Sequence, residues 1–339
     1  MRIAVAAPQV PFLRGGAELM AEGLVDALRG RGHEAELVTI PFKWYPGTRV
    51  LDQAFLWRLV DLTESDGRPI DRVIATKFPA YAVRHPYKVV WVLHQFRQAY
   101  DYDRTELGQF SEAPEDRATR AAIERLDAVA LGEARKVFAT SRNVADRLRR
   151  FNGIEATVLP HPPQALPYRT ARSEGFVLSV NRLDRAKRID LLIEAAKRDP
   201  SVRIVITGEG PDRERLESLA SGLNGQVEFV GRVDDERLAD LYARCLAVYY
   251  APVDEDFGMV PYEAFLSGKP VVTTTDAGGP LEAVHDRDTG VVVAPEPGEI
   301  ARAAVYLAEH PEEATSWGQS GRALAERVTW DACIDALLA

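Results

Sequence analysis

The chain has 339 residues, of which 46% are hydrophobic and 27% are charged. This balance is typical of a soluble globular protein and excludes a disordered chain, a collagen-like chain and a disulfide scaffold. The 42 basic and 51 acidic residues give a net charge of −9, which disfavours general binding of nucleic acid. At roughly 100–200 residues per domain, the length predicts two domains.

The cysteines and the apolar runs predict the cellular location of the protein. Cys245 and Cys333 lie in helix-like stretches without metal-ligand spacing, which indicates reduced thiols in a cytosolic protein. The longest apolar runs, such as Val89–Leu93, have the length of a strand and not of a membrane span. We therefore expect a cytoplasmic protein, and contact with the inner face of a membrane stays open because it needs no span.

In the first half of the chain, short apolar runs alternate with longer amphipathic stretches. Ile3–Ala7 predicts a first buried strand, and the apolar spacing from Met20 to Leu28 predicts a helix that ends at Gly30. Further strands are expected at Glu36–Ile40, Arg72–Thr76, Val89–Leu93, Val137–Thr140 and Ala156–Leu159, and further helices at Glu115–Arg135 and Asn143–Phe151.

The second half repeats this alternation more regularly, which predicts parallel sheets covered by helices on both faces. Each half is therefore expected to be a doubly wound, Rossmann-like α/β domain. The strands are expected at Phe176–Val180, Val202–Thr207, Val227–Val230, Leu246–Tyr250, Pro270–Thr274 and Gly290–Val293. The helices are expected at Ile189–Lys197, Asp212–Ala220, Asp235–Arg244, Pro261–Ser267, Glu299–Glu309 and Glu312–Arg327.

A proline-rich stretch at 161–174 without periodicity predicts the linker between the two domains. We expect an N-terminal domain at 1–165, a C-terminal domain at 166–328, and a final segment at 329–339 that crosses back to the first domain. Two such domains face each other across a cleft, and ligands bind open α/β sheets at the carboxyl ends of the strands.

The strongest local signal is a pair of glutamates with seven residues between them. Glu255 follows a predicted strand, a turn at Phe257 and Gly258 comes next, and a helix begins near Met259. The N–H groups at that helix start predict an anion site, and the carboxylate of Glu263 suits a vicinal diol such as a ribose. The alternative is an acidic loop followed by an ordinary helix.

A basic loop follows the strand predicted at Phe176–Val180. Arg182 and Lys187 lie five positions apart on this strand-to-helix loop, where two fixed cations can clamp a diphosphate. Arg185 and Arg188 are expected to be solvated. The alternative is a set of ordinary basic residues near a helix start.

Glycines occur in other loops between a strand and a helix. Gly15 and Gly16 follow the first strand, where they let the backbone approach a ligand, but their spacing is not the dinucleotide fingerprint. Gly208 lies in the turn Thr207–Pro211, where a structural role is favoured, and Gly278–Gly279 shape a later helix start.

Histidines and acidic pairs give weaker signals. His94 follows the buried strand at Val89–Leu93 and is equally well explained as a site residue or as a structural one. Asp254–Asp256 and Asp101–Asp103 match a short Asp-x-Asp pattern for divalent metals, but no histidine pair has metal-ligand spacing. We therefore expect no metal site and no cofactor.

In this order, these segments resemble the family 4 retaining glycosyltransferases of the GT-B fold. The resemblance covers nearly the whole chain and is densest at 176–295. Asn181 and Pro261 depart from the usual pattern of the family without weakening the resemblance. The matching segments are Gly15-Gly16, His94, Arg182 with Lys187, Gly208–Pro211, Val230-Gly231, Glu255 with Glu263, Gly278-Gly279 with Glu282, and Thr289-Gly290.

The resemblance implies that the C-terminal domain holds a nucleotide-diphosphate sugar. Arg182 and Lys187 would neutralise the departing diphosphate, and Glu263 would hold the ribose hydroxyls. The backbone near Val233 would meet the base, and Glu255 would hold the transferred sugar. The positive charges of Arg182 and Lys187 would stabilise the negative charge that develops on the phosphate, without a metal ion.

The resemblance also implies contacts of the donor with other loops. His94 would lie beside the sugar and, with Glu255, Arg182 and Lys187, form the catalytic group. The remaining donor contacts would come from Gly15, Gly16, Gly208, Phe257, Gly258, Met259 and Val260.

The predicted function is retaining transfer of a sugar from a nucleotide donor to an acceptor that is a polysaccharide, a lipid or a small molecule. Two alternatives are a non-catalytic subunit that binds nucleotide sugars and a sugar-nucleotide epimerase. By charge alone, Glu255 is also a candidate nucleophile. The oligomeric state stays open.

The acceptor is expected at the N-terminal domain. Lys77, Arg97 and Tyr100 are candidates, with a packing role as the favoured alternative for each. A lipid acceptor would need basic and aromatic residues exposed together, which Lys43–Tyr45 and Trp57–Arg58 suggest weakly.

Overall fold

The computed structural model describes residues 1–12, 14–103, 105, 108–223 and 225–339. The chain forms two compact units. The first unit contains Met1–His161 together with Thr329–Ala339, and the second contains Pro162–Val328. The division falls inside the proline-rich stretch, and the final segment groups with the first unit.

The first unit has a six-stranded parallel sheet in the order β2-β1-β5-β6-β7-β8. Its central strands form where apolar runs are buried on both faces, as in β1, whose residues Ile3–Ala7 are all buried. The strands are β1 (Arg2–Gln9), β2 (Glu34–Pro41), β5 (Arg72–Ala75), β6 (Lys88–Val92), β7 (Lys136–Ala139) and β8 (Thr157–Val158). A short antiparallel pair, β3 (Glu64–Ser65) and β4 (Arg68–Pro69), lies outside this sheet.

Helices of the first unit cover two core clusters of its sheet. The last helix packs in this unit, where Trp330 meets Trp91 edge-on at 6.4 Å and Arg72 donates to the carbonyl of Leu337 at 2.6 Å. The helices are α1 (Gly16–Gly30), α2 (Val50–Leu59), α3 (Pro114–Gly132), α4 (Arg142–Asn152) and α11 (Trp330–Leu338).

The second unit also has a six-stranded parallel sheet, in the order β11-β10-β9-β12-β13-β14. Its strands are β9 (Phe176–Val180), β10 (Arg203–Thr207), β11 (Val227–Gly231), β12 (Ala247–Tyr249), β13 (Val271–Thr274) and β14 (Gly290–Val293). Its helices are α5 (Ile189–Arg198), α6 (Arg213–Leu219), α7 (Asp235–Arg244), α8 (Val260–Leu266), α9 (Pro297–Glu309) and α10 (Pro311–Ala325).

The strand order reverses once in each sheet, and this reversal marks the switch point of the unit. In the first unit the switch point lies between β1 and β5, and in the second it lies between β9 and β12. Ligands of open parallel sheets bind outside the carboxyl ends of the strands at such a point. The predicted architecture of two doubly wound α/β units is confirmed.

Candidate functional site

The switch point of the second unit brings together two residues that the sequence places 68 positions apart. Lys187 follows β9 on the one-turn helix Arg185–Lys187, and Glu255 lies in the loop after β12. The Nζ of Lys187 donates to Oε2 of Glu255, and the side chains of both residues are 20% exposed. The sequence predicted both residues at the donor but not that they bind each other.

Tyr250 completes this cluster. Its hydroxyl donates to Oε2 of Glu255 at 3.1 Å, and the Nζ of Lys187 lies 5.6 Å from the centre of its ring. Burial alone would raise the pKa of Glu255, but the ammonium of Lys187 outweighs burial and the pKa lies below its ordinary value. Burial alone would lower the pKa of Lys187, yet Tyr250 and Glu255 hold it above its ordinary value. Both members of the pair are therefore charged at neutral pH.

Arg182, the second predicted cation, has different surroundings. Its side chain is 54% exposed, and its Nε lies 4.0 Å from Oδ2 of Asp184. Lys187 is thus held in place before any ligand arrives, whereas Arg182 is a solvated charge. A solvated arginine loses more side-chain entropy when it binds a phosphate.

Arg188 corrects the prediction of a solvated side chain. Only 14% of this side chain is exposed, and its guanidinium forms a salt bridge with Asp276 at 2.8 Å. No sequence pattern indicates this salt bridge, because Asp276 lies 88 positions further along the chain. Arg185, on the same loop, is exposed as predicted.

The glycines of the turn at 207–211 pack against the basic loop. A Cβ atom on Gly208 would lie 1.8 Å from the carbonyl oxygen of Asn181, and one on Gly210 would lie 2.2 Å from that of Leu183. Leu183 also donates its N–H to the carbonyl of Glu209 at 3.1 Å. The structural role favoured for these glycines thus has a direct cause, and a donor contact of Gly208 stays a prediction.

Val233 lies in the neighbouring loop, between β11 and α7. Its side chain is partly buried against the core that contains Tyr242. The next residue, Asp234, caps α7 by accepting from the N–H of Arg237 at 2.8 Å. The contact of the backbone near Val233 with a nucleotide base stays a prediction.

The loop that carries Glu255 is tied to the loop after β13. The N–H of Glu255 donates to Ala277 O at 2.8 Å, and the N–H of Gly279 donates to Glu255 O at 2.8 Å. Gly258 has a φ of 81°, and a Cβ there would lie 2.7 Å from the ring of Tyr250. The turn therefore requires glycine at this position.

Helix α8 begins at Val260, with Met259 as the residue before its first turn. Pro261 lies in the first turn, as predicted, and Phe257 stacks on Tyr262 with ring centres 5.1 Å apart. The predicted donor residues 257–260 thus form the entry to this helix. Their role in binding an anion stays a prediction.

Glu263 lies on α8 and is only 7% exposed. The hydroxyl of Tyr242 donates to its Oε2 at 2.5 Å. Burial raises the pKa of Glu263, and the hydrogen bond from Tyr242 opposes this shift only in part. Tyr242 was absent from the predicted site, since a tyrosine within a helical pattern gives no signal beyond packing.

The switch point of the first unit contains a second lysine–glutamate pair. Lys77 follows β5, and its Nζ lies 3.3 Å from Oε1 of Glu18 on α1. The other oxygen of Glu18 accepts from the N–H of Gly15 at 2.9 Å, so Gly15 and Gly16 open a capped helix. Lys77 was predicted as an acceptor contact; the structure places it in this ion pair.

The other predicted residues of the first unit follow β6. His94 is partly buried, and its Nδ1 lies 2.8 Å from the carbonyl oxygen of Gln95. Arg97 is buried and donates from Nε to Asp101 at 2.8 Å. For Arg97 these contacts favour the packing role over contact with an acceptor.

Tyr100 is also buried, within a polar cluster of the core. Its hydroxyl donates to Oδ2 of Asp127 at 2.7 Å and accepts from Nδ2 of Asn152 at 3.0 Å. Burial raises the pKa of Asp127 to about 7. For Tyr100, too, a structural role is favoured.

Metal clusters and membrane-spanning helices are both absent from the described residues. Within residues 1–12, 14–103, 105, 108–223 and 225–339, no cluster of three or more His, Cys, Asp or Glu side chains could hold a metal ion. In those same ranges, no helix combines the length and the apolar character that a membrane crossing needs.

The second unit resembles a known protein family. Residues 168–324 match the family model described as Glycosyl transferases group 1. This match spans nearly all of the second unit, Pro162–Val328. The matched residues include the complete Lys187–Glu255 cluster and Glu263, so the resemblance drawn from the motifs is confirmed for this unit.

Relatives of known name match the chain over part of its length. The alpha-1,3/1,6-mannosyltransferase ALG2 of Mus musculus is 31% identical over 180 residues, which cover 47% of this chain and 43% of the relative. The D-inositol 3-phosphate glycosyltransferase of Gordonia bronchialis is 34% identical over 184 residues, covering 49% of this chain and 40% of the relative. The match thus spans less than half of each relative.

Solved structures are similar over nearly the whole chain. Sucrose-phosphate synthase of Thermosynechococcus elongatus covers 98% of this chain and 96% of its own, with 21% identity and a TM-score of 0.77. HepE of Anabaena, solved with UDP, covers 100% and 98%, with 20% identity and a TM-score of 0.71. WaaG, a glycosyltransferase of lipopolysaccharide biosynthesis, covers 96% and 95%, with 18% identity and a TM-score of 0.70. The fold is GT-B, as predicted.

Proposed function

We propose that this protein transfers a sugar from a nucleoside-diphosphate sugar to an acceptor, with retention at the anomeric carbon and without a metal ion. The observation that carries this proposal is the ion pair of Lys187 and Glu255, held at the switch point of a group 1 glycosyltransferase unit. The names of the relatives, a mannosyltransferase and an inositol-phosphate glycosyltransferase, support the same class of reaction.

Departure of the diphosphate sets the demands on the site. Cleavage of the bond between the anomeric carbon and the phosphate oxygen leaves negative charge on the diphosphate and positive charge on the sugar. Lys187 is already positioned, so it stabilises the negative charge on the diphosphate without reorganisation. Arg182, whose side chain is exposed to solvent, supplies a second cation. Glu255 keeps Lys187 protonated and, as a carboxylate, accepts hydrogen bonds from sugar hydroxyls.

Glu263 and Tyr242 suit the ribose. The hydroxyl of Tyr242 occupies Oε2 of Glu263, so Oε1 is the acceptor that we assign to a ribose hydroxyl. A bound diol would supply hydrogen bonds that favour the charged carboxylate, against the burial that raises its pKa. Crystal structures of HepE with UDP and UDP-glucose support a uridine nucleotide as the first donor to test.

Retention follows if the acceptor attacks from the face that the diphosphate leaves. In that step the acceptor oxygen bonds to the anomeric carbon, and the acceptor proton moves to an oxygen of the leaving phosphate. Glu255 is ion-paired with Lys187, which lowers its nucleophilicity, so we assign it to sugar binding. For His94 and Gly16, contacts with the sugar and the diphosphate stay predictions.

We infer that α2 contacts a lipid surface and that the acceptor is a lipid. Phe55, Leu56 and Leu59 on this helix are 59%, 47% and 66% exposed. Lys43 is tied to the same helix, since its N–H donates to Gln53 at 2.6 Å.

Other contacts in this region correct part of the sequence prediction. The Nζ of Lys43 lies 4.5 Å from the centre of the exposed Tyr45 ring, so basic and aromatic groups are exposed together beside α2. Trp57 is instead buried, and Arg58 pairs with Glu133 at 2.7 Å.

Sedimentation with vesicles tests the inference that α2 contacts a lipid surface. The wild type should bind phosphatidylglycerol vesicles, and F55S/L56S/L59S should not; equal binding by both proteins would refute it.

The reaction is tested by following anomeric and phosphorus NMR signals of UDP-, GDP-, ADP- and dTDP-sugars, with magnesium or with EDTA. A transferase releases nucleoside diphosphate as the sugar passes to the acceptor or slowly to water, in EDTA as in magnesium. An epimerase interconverts the donors without release, and a binding subunit does neither. Lys187→Met should abolish release, whereas Lys197→Met, a control lysine paired with Glu194 on α5, should not.

A further inference from the structure

Arg188 has a backbone conformation that an arginine adopts only with compensation. Its φ of 47° and ψ of 42° lie in the left-handed region, between the one-turn helix Arg185–Lys187 and α5. Contacts of the Cβ atom disfavour this region for every residue except glycine, and such strain persists only where the surroundings fix it. Contacts of the Arg188 side chain must therefore hold this backbone in place.

The guanidinium of Arg188 binds two other loops. Its Nε donates to Ala251 O at 2.8 Å, and its Nη2 donates to Pro252 O at 2.9 Å, both after β12. Nη1 and Nη2 each donate to one oxygen of Asp276 at 2.8 Å, and Nη2 also donates to Oγ1 of Thr274 at 2.8 Å. The planar guanidinium therefore fixes the distance between the loop after β12 and the loop after β13.

These two loops and the loop of Arg188 carry the cluster at the switch point. Lys187 precedes Arg188 directly, and Glu255 lies in the loop that begins at Ala251. The N–H of Val253 donates to Ala186 O at 3.0 Å, next to this arginine. Both members of the ion pair are thus attached to segments that Arg188 joins.

We propose that Arg188 is a positioning residue that holds the ion pair of Lys187 and Glu255 in its bonded geometry for the diphosphate. This inference rests on the proposed function of the same site and adds a residue to it. Arg188 acts through Lys187 and does not itself meet the donor. By joining the loop after β9 to the loops after β12 and β13, Arg188 keeps the ammonium of Lys187 at a fixed distance from Glu255.

A purely structural role makes a different prediction. Loss of Arg188 would then weaken the whole unit, and every ligand of the unit would bind less well. A positioning role predicts a selective loss: affinity for a nucleoside diphosphate falls, while affinity for the nucleoside alone does not, because only the phosphates meet Lys187. Arg188→Gly separates the two roles, since glycine adopts the left-handed backbone without strain.

The experiment compares Arg188→Gly with Asp276→Asn and with a control, Arg185→Gly, which removes an exposed arginine from the same loop. Affinities for UDP and uridine, and for GDP and guanosine, are measured by ligand-observed NMR. Arg188→Gly and Asp276→Asn should each weaken the binding of the nucleoside diphosphate about tenfold and leave the binding of the nucleoside unchanged. In the double variant, the loss of diphosphate affinity should be no larger than in either single variant, because both variants break the same contact. Equal loss for diphosphate and nucleoside, or no loss in either variant, would overturn the proposal.

A second readout needs no nucleotide. The chain has seven lysines, so the ammonium resonance of Lys187 can be assigned by its absence in Lys187→Met. In the ligand-free protein, this resonance should shift or disappear in Arg188→Gly and in Asp276→Asn but not in Arg185→Gly. An unchanged resonance in both folded variants would contradict the positioning role, whether or not the wild type binds a nucleotide. Absence of nucleotide binding by the wild type would refute only the proposed function.

Discussion

Each unit places a lysine–glutamate ion pair where its strand order reverses, Glu18 with Lys77 in the first unit and Lys187 with Glu255 in the second. In the first unit the glutamate also accepts from the N–H of Gly15 and caps α1. In the second unit the glutamate accepts from the hydroxyl of Tyr250 and from the N–H of Asp256, and Arg188 ties the surrounding loops together. One pair fixes a helix start, whereas the other is held by a framework of loops.

This difference indicates a structural role for the pair of Glu18 and Lys77 and a ligand-binding role for the pair of Lys187 and Glu255. Glu18 has one oxygen for Lys77 and one for the backbone, so the pair is explained by local structure. Lys187 and Glu255 come from two different loops of the second unit, and the backbone donor of Glu255 is the N–H of the neighbouring Asp256, which lies before α8. An ion pair that local structure does not explain, at the carboxyl ends of parallel strands, is where a charged ligand is expected.

The largest effect should come from neutralising one member of the second pair. Glu255→Gln keeps the shape of the side chain but removes the charge that holds Lys187. We expect release of nucleoside diphosphate from the donor to fall by about 100-fold, as when a preorganised electrostatic contact is lost. Glu194→Gln removes the exposed partner of Lys197 and serves as the control. A turnover within twofold of wild type in Glu255→Gln would contradict the assignment.

A smaller effect should follow from loss of the hydroxyl that holds Glu263. Because burial raises the pKa of this carboxyl in the folded state, folding favours its protonated form, and stability falls as pH rises through that range. Tyr242→Phe removes the hydrogen bond that opposes the shift. It should therefore cost about 1–2 kcal/mol more free energy of unfolding at pH 8 than at pH 5, measured by urea denaturation.

A pH-independent cost of Tyr242→Phe would show that Glu263 does not change its protonation between these pH values.

Acid should weaken the second pair specifically. The pKa of Glu255 is lower in the folded state than its ordinary value of 4.5, so the stability that it contributes is present above pH 4.5 and is lost as pH falls through the folded value. The difference in free energy of unfolding between wild type and Glu255→Gln should therefore shrink in acid. The same urea experiment between pH 3 and pH 6 measures this difference, and a constant difference would contradict the lowered pKa.

The smallest effect is expected at the first pair. Lys77→Met removes the ion pair, but Glu18 keeps the N–H of Gly15 as a donor. We expect a cost of about 1 kcal/mol in free energy of unfolding and a change in donor turnover below about threefold. Lys136→Met, at an exposed position of the same unit, is the control. A loss of turnover as large as that of Glu255→Gln would mean that the two switch points do the same work.

The sequence predicted the sheets better than it predicted the helices around them. The strands of both six-stranded sheets were located within a few residues, because most are short apolar runs, and central strands such as β1 and β6 are buried on both faces. Helix α2 (Val50–Leu59) was not predicted. Its apolar residues surround the helix, with Trp57 buried and Phe55 exposed, so no periodic face marked it.

The site was predicted residue by residue but not as a set of contacts. Lys187, Glu255 and Glu263 were recognised from motifs, since residue type and spacing carry that signal. Tyr242, the partner of Glu263, and the bonds of Arg188 to the neighbouring loops were not, because each bond joins elements far apart in the chain. Spacing along a sequence reports which residue follows a strand, whereas the partner of that residue is decided by which strands become neighbours.

The most direct test of the central claim is calorimetric titration of the protein with UDP and with GDP, in EDTA, for wild type, Lys187→Met and Lys197→Met. Wild type and Lys197→Met should bind one of the two nucleotides with equal affinity, and Lys187→Met should bind it at least about tenfold more weakly. Equal binding by all three proteins would contradict the claim that Lys187 and Glu255 form the donor site.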